Sequence, residues 1–258
     1  MPFTKKIFRV DDLNVQIYNC EAELGENVAE IARDYLQEVL QKNGHAAVLL
    51  ATGNSQIRFL DTLIALGGID WSQVTCFHLD EYLGISAGHL ASFRRYLREH
   101  FHKRVNLKEF HYIEGDALEP LVECDRYSKL LQAQPIDLCC LGVGENGHIA
   151  FNDPSVANFQ DAYSVKLVKL DQANHKQQVK QGHFPNLEAV PKYAFTVTIP
   201  LICSAKKILC LAPGSHKAKI VQQMLQENIS TDCPASILRK YSQATLFLNQ
   251  DSGSLVSS

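Results

Sequence analysis

The sequence predicts an α/β fold: a single-domain, Rossmann-like three-layer arrangement with a mostly parallel central sheet. Two observations predict it. Short apolar runs such as Ala47-Val48-Leu49-Leu50-Ala51 alternate with longer segments of helical periodicity, the pattern of strands joined by crossover helices. The segments richest in glycine and titratable groups each follow the end of such a run, where open α/β sheets bind ligands. A chain of 258 residues suits one large domain or two small ones. It holds no internal repeat, low-complexity stretch or linker, so residues 1–250 read as one domain and 251–258 as a flexible tail.

Taken in order, Val28, Ile31, Ala32, Tyr35, Leu36, Val39 and Leu40 recur at helical spacing, and Asn43-Gly44 stops that helix. The strand from Ala47 leads through Thr52-Gly53-Asn54-Ser55 into a helix ending near Leu66. Val74 to Leu79 reads as a strand running into Asp80-Glu81-Tyr82, with helices over Ser92–Phe101 and Cys124–Gln132. Ile136 to Leu141 is a buried strand that opens into Gly142-Val143-Gly144-Glu145-Asn146-Gly147-His148. The polar stretch from Asp171 to Glu188 has weak periodicity and reads as a mobile lid or a long surface connection, composition alone favouring the second. Phe195 to Ile199 alternates like a half-buried strand. Lys207 to Ala212 is a strand ending at Pro213-Gly214-Ser215-His216-Lys217, a helix face follows at Ile220, Val221, Met224 and Leu225, and Ala244–Leu248 is the last strand.

Composition narrows the function classes. The formal net charge is −3, so no global positive field calls for nucleic acid or an acidic membrane surface. Eight cysteines are present, but Cys76, Cys139, Cys140 and Cys210 sit in apolar runs and no pair has metal-ligand spacing. No apolar run is long enough to span a bilayer, and Met1 to Arg9 lacks a signal-type apolar core. The expected address is the cytoplasm. Oligomeric state stays open between monomer and homo-oligomer.

The chemistry gathers at four strand-end loops. Thr52, Gly53, Asn54 and Ser55 offer hydroxyls and free N–H groups where a helix starts, an anion site as well as an ordinary cap. Gly214 to Lys217 is similar but adds a cation to a first helical turn, where the helix dipole disfavours it unless an anion binds. Neither loop has Walker spacing, and two small cradles suit a monophosphate better than a triphosphate. In Asp80-Glu81, one carboxylate is a candidate general base and the other a substrate-binding group; an exposed capping pair is the competing reading. His89 and Ser92 offer bonds to a sugar hydroxyl or a helix cap. The glycine loop spells G-x-G-x-x-G, yet Asn152-Asp153-Pro154 interrupts the helix that a dinucleotide site requires. It lets the backbone at Gly144 approach a ligand and presents His148, flanked by Asn146 and Asp153, as titratable chemistry. Proton transfer on a small phosphorylated polyol fits these parts, and no feature requires a metal or organic cofactor.

Leu79-Asp80-Glu81-Tyr82-Leu83-Gly84, the stretch from Gly142 through His148-Ile149-Ala150-Phe151-Asn152-Asp153 to Pro154, Val190 to Ala194 and Gly214 to Ala218 occur in the order seen in glucosamine-6-phosphate deaminases (isomerases). The chain resembles that family from about Val28 to Leu248. The related 6-phosphogluconolactonases share the fold but usually continue His-Thr-Ala-Ser after the histidine and carry Asp-Glu-Arg at the Asp80 position. The resemblance implies conversion of glucosamine 6-phosphate and water into fructose 6-phosphate and ammonia, without a cofactor. It implies that His148 assists ring opening, that Asp80 carries a proton from C2 to C1, and that Thr52 to Ser55 and Lys217 hold the phosphate. Lys176 stands near the family's phosphate-binding arginine in a lid segment. The chain departs from the family pattern at Asn146 and Asp153, where aspartate and glutamate are usual, and lacks the Ser-Arg-Thr-Arg-type allosteric segment. A lactonase, a galactosamine-6-phosphate deaminase and a weakly active sugar-phosphate sensor are the competing readings.

Overall fold

The computed structural model describes residues 5–180, 182 and 184–256. A hairpin of β1 (Lys6–Val10) and β2 (Leu13–Tyr18) leads into α1 (Glu21–Asn43), β3 (Ala46–Leu50) and α2 (Asn54–Leu66). Next come β4 (Val74–His78), β5 (Asp80–Tyr82), α3 (Phe93–His100), β6 (Glu109–Phe110) and α4 (Pro120–Gln132). They are followed by β7 (Leu138–Gly142), β8 (Val165–Lys169), α5 (Gln172–Lys180), β9 (Tyr193–Val197) and α6 (Ile199–Cys203). The chain closes with β10 (Lys207–Leu211), α7 (Ala218–Gln226) and β11 (Ala244–Asn249).

Eight strands form the main sheet in the order β1-β2-β11-β10-β7-β3-β4-β6. Every pair in it is parallel except β1 with β2. The expected mostly parallel sheet is therefore present. Both faces are covered, which explains why β3 is buried at all five positions rather than alternating with polar residues. Ala47 and Leu49 pack on one side with Tyr127 and Leu131 of α4 and Val221 and Met224 of α7. Ala46, Val48 and Leu50 pack on the other with Val28 and Leu36 of α1 and Phe59 and Leu63 of α2. Consecutive cysteines follow the same alternation: Cys139 joins the first layer and Cys140 the second. All eight cysteines are free, and burial raises the Cys139 and Cys140 thiols.

Three features differ from the sequence reading. Its strand inventory lacked the β1–β2 hairpin, although Leu13, Val15 and Ile17 alternate with polar residues and face the core. Phe195 to Ile199 is not half-buried: Ala194 to Val197 are buried throughout, because β9 is the middle strand of a separate antiparallel sheet, β5-β9-β8. The tail expected from Asp251 is instead a packed turn through Val256. Ser252 is fully buried and its hydroxyl donates to Asn249 Oδ1 at 3.0 Å, while Gly253 N–H donates to the Asn249 carbonyl at 2.9 Å. Ser257 and Ser258 lie outside the described residues. No helix among the described residues is long and apolar enough to cross a membrane.

Candidate functional site

Strands β10, β7, β3 and β4 are consecutive neighbours in the sheet, so their carboxyl-end loops are brought together. From β3 the chain adds β4 on one side and later β7 on the other. That reversal opens a crevice between the loops after β3 and β7. A cleft of about 540 Å³ occupies it. Thr52, Gly53, Asn54, Ser55, Asp80, Gly144, His148 and Lys217 all line this cleft, as their positions after strand ends predict.

One end of the cleft is built for an anion. Helix α2 starts at Asn54 after Gly53, with no side chain capping its first N–H groups and no acidic residue in its first turn. The 3₁₀ turn Ser215–Lys217 that enters α7 is likewise uncapped. Its start is held by the Gly214 N–H, which donates to Asn249 Oδ1 at 2.9 Å. Gly214 has φ 98°, and a Cβ there would meet the His216 ring at 2.7 Å, so glycine is required. Two helix starts without side-chain caps therefore line one space, where helix dipoles favour an anion. Lys217 is only 9% exposed, and burial lowers its pKa, with Glu145 opposing the shift. His216 lines the same end, its pKa lowered by burial and by Lys217.

The cation supplied by α5 differs from the expected one. Lys176 is exposed and does not line the cleft; Lys180 does, with Nζ 3.8 Å from Glu145 Oε1. The polar stretch holds a helix rather than a plain connection, and Gln178 on it is buried and lines the cleft.

At the other end, the chain changes sheets at Leu79. Its N–H donates to the Leu50 carbonyl on β3 at 3.1 Å, and its carbonyl accepts from Val197 N–H on β9 at 2.8 Å. Asp80 then pairs with Thr196 in the small sheet and turns its carboxyl into the cleft. Burial raises the Asp80 pKa well above the usual carboxylate value, helped by the charges of Glu81 and Asp153. Strand alternation sends Glu81 the other way. Its carboxylate accepts from Ser92 Oγ at 2.8 Å and from the N–H groups of Tyr82, Phe93 and Arg94 at 3.0, 3.1 and 2.9 Å. Glu81 thus ties down the start of α3 and is not part of the cleft lining, which corrects its placement as a substrate contact. Ser92 caps α3, and His89 Nδ1 accepts from Ala91 N–H while its ring stacks on Phe184; neither reaches the cleft.

The glycine loop folds back on itself to present His148. A Cβ on Gly144 would fall 2.1 Å from the His148 ring, so only glycine allows the ring this position. Asn152 is fully buried and anchors the loop, donating to the carbonyls of Ile149 and Val197, each at 2.9 Å. Asn146 stands behind the imidazole. Its Oδ1 accepts from His148 N–H at 3.1 Å and lies 2.7 Å from Nδ1, while its Nδ2 donates to Asp153 Oδ1 at 3.0 Å. Asp153 Oδ1 is also 3.0 Å from His148 Nδ1. Both oxygens facing Nδ1 are acceptors, so Nδ1 carries the hydrogen and Nε2 is left as the base of the neutral ring. Asn146 and Asp153 do not line the cleft; they act on it through His148.

The sequence reading missed the apolar wall between the two ends. Phe93 and Phe151 line it with ring centroids 5.6 Å apart and planes 14° apart. Phe151 lies in the histidine motif, but nothing local in the sequence singles out Phe93.

The residue pattern of the family described as glucosamine-6-phosphate isomerases/6-phosphogluconolactonase matches residues 19–247. A protein of Exiguobacterium sibiricum named glucosamine-6-phosphate deaminase is 34% identical over 236 residues, which cover 91% of each chain. A solved monomeric glucosamine-6-phosphate deaminase superposes with a TM-score of 0.86 at 31% identity, covering 93% of this chain and 99% of its own. A 6-phosphogluconolactonase from Shewanella baltica shares the fold, with a TM-score of 0.76 at 17% identity over 94% of this chain and all of its own.

Proposed function

The chain belongs to the family of glucosamine-6-phosphate isomerases and 6-phosphogluconolactonases, and from that membership we propose that it is an enzyme converting glucosamine 6-phosphate and water into fructose 6-phosphate and ammonia. The observation that carries the reading is the shared cleft: a buried carboxyl, Asp80, and an imidazole, His148, open into the same space as a cation-lined anion cradle. Binding the phosphate at Lys217 and the helix starts would hold the sugar with its first two carbons toward Asp80. In the closed ring C1 is not a carbonyl, and His148 Nε2 is the group to move the proton that opens it. The aldehyde at C1 then acidifies the C2 proton, which Asp80 takes and returns to C1. The product of that transfer is an imine at C2, which water hydrolyses to the ketone and ammonia.

Lys180 takes the place given to Lys176 as the cation that α5 brings to the phosphate. Every group in this scheme comes from one chain, so a single copy makes a complete site, in keeping with the monomeric relative. The test is to supply glucosamine 6-phosphate, galactosamine 6-phosphate and 6-phosphogluconolactone separately. The expected result is ammonia and fructose 6-phosphate in equal amounts from the first. Lactone hydrolysis without ammonia release from either amino sugar would overturn the reading.

A further inference from the structure

Tyr127 lies on α4, fully buried and outside the cleft. Its hydroxyl bonds His78 at both ends and also lies 3.4 Å from the His111 carbonyl, just past β6. It accepts from His78 N–H at 2.8 Å and donates to the His78 carbonyl at 2.9 Å. His78 is the last residue of β4, two positions before Asp80.

A residue in a parallel strand directs its N–H and C=O to the same side, and successive residues alternate sides. Cys76 faces β6, where its carbonyl accepts from His111 N–H at 2.9 Å, and Leu79 faces β3. His78 therefore faces β6, but β6 ends at Phe110. A single side-chain hydroxyl from α4 takes the place of the absent strand. The fully buried His78 ring holds the departing segment, since its Nε2 accepts from Ile113 N–H at 2.8 Å. Burial drives the ring's pKa down to about 3, so it is neutral and suited to accept.

The peptide joining His78 to Leu79 is thus gripped at both ends, by Tyr127 at its carbonyl and by Leu50 at its N–H. That peptide is where the chain leaves the large sheet for the small one, and Asp80 comes next. We propose that Tyr127 is a positioning residue for the reaction: its hydroxyl sets the end of β4 and thereby where the Asp80 carboxylate stands. This rests on the reading of Asp80 as the base. The phosphate cradle belongs to other strands, so the two functions separate.

Tyr127→Phe removes the hydroxyl and keeps the ring. The expected result is a kcat about 10- to 100-fold lower, the cost of a misplaced reacting group, with KM for glucosamine 6-phosphate and affinity for inorganic phosphate unchanged. A kcat equal to the parent's would overturn the proposal, as would parallel losses of kcat and phosphate affinity, which mark general loosening. His78→Asn loosens the same junction from the ring side and is read by the same split. If Tyr127→Phe fails to fold, an unchanged kcat in His78→Asn overturns the proposal and a selective kcat loss upholds it. Asp80→Asn separates the two levels. If it stays active, the base assignment falls and this proposal with it; if it is inactive beside a fully active Tyr127→Phe, only the proposal falls.

Discussion

Asn146 Oδ1 stands 2.7 Å from Nδ1 of His148, and the same amide donates from Nδ2 to Asp153 at 3.0 Å. An amide here links carboxylate and imidazole while carrying no charge of its own, and it selects the tautomer that leaves Nε2 basic.

Asn146→Asp replaces the Nδ2 donor with an acceptor beside Asp153 and adds a second negative charge next to the ring. The added charge favours the imidazolium. The pH profile of kcat is expected to move to higher pH, with the rate at its new optimum within about tenfold of the parent's, since general acid–base groups remain in place. A large gain in kcat at an unshifted optimum would show instead that Asn146 weakens the enzyme.

Asp80→Asn is expected to abolish turnover and to stabilise the fold. The native carboxyl's pKa is raised by burial and by Glu81 and Asp153. Below the unfolded-state carboxylate pKa both states hold the proton and ionisation costs nothing. Between that value and the raised native one the unfolded chain ionises while the folded state keeps its proton, so stability falls across this window and the full cost of the buried charge is borne above it. The Tm advantage of the variant should therefore be small near pH 4 and grow toward neutral pH, with roughly 2–4 °C for each kcal/mol relieved. A variant less stable than the parent at neutral pH would contradict this.

Three lysines are expected to separate in steady-state kinetics. Lys217→Ala should raise KM about tenfold to a hundredfold, the loss of one charge-assisted bond of roughly 1.5–3 kcal/mol. Lys180→Ala should act in the same direction but more weakly, since its side chain is 72% exposed. Lys176→Ala should leave KM unchanged. A KM effect confined to Lys176 would return the phosphate contact to that residue.

Glu81→Gln tests a structural role. The carboxylate accepts four hydrogen bonds and lies 3.6 Å from Arg94 Nε, and both side chains are buried. Arg94 keeps its ion pair with Asp116 at 3.0 Å, but a glutamine amide presents an NH2 where the carboxylate accepts and leaves buried N–H donors unpaired, a cost of about 1–3 kcal/mol. Denaturant unfolding should show that loss while KM of the remaining folded enzyme stays near the parent's; a raised KM at unchanged stability would restore Glu81 to the substrate site.

Much of this was legible in the sequence because it is encoded by local periodicity. The fully apolar run at β3 states that both faces of its sheet are covered, and Asn43-Gly44 states where α1 must stop. Loops that follow strand ends share one edge of a parallel sheet, which groups Thr52 to Ser55, Asp80, His148 and Lys217 from the sequence; that they meet in one cleft follows from the adjacency of β10, β7, β3 and β4.

Tertiary structure alone decided what depends on register and on distant partners. Asp80 and Glu81 are equivalent as a dipeptide; pairing of β5 with β9, at Asp80 with Thr196, turns one into the cleft and the other toward α3. Lys176 and Lys180 share a helix, and only the way α5 packs gives the cleft to Lys180. The Tyr127 hydroxyl meets a backbone 49 residues away in the chain. A sequence states how its residues repeat along one element. The partner of a buried polar group is set by which element arrives beside it, and that is a property of the packed fold.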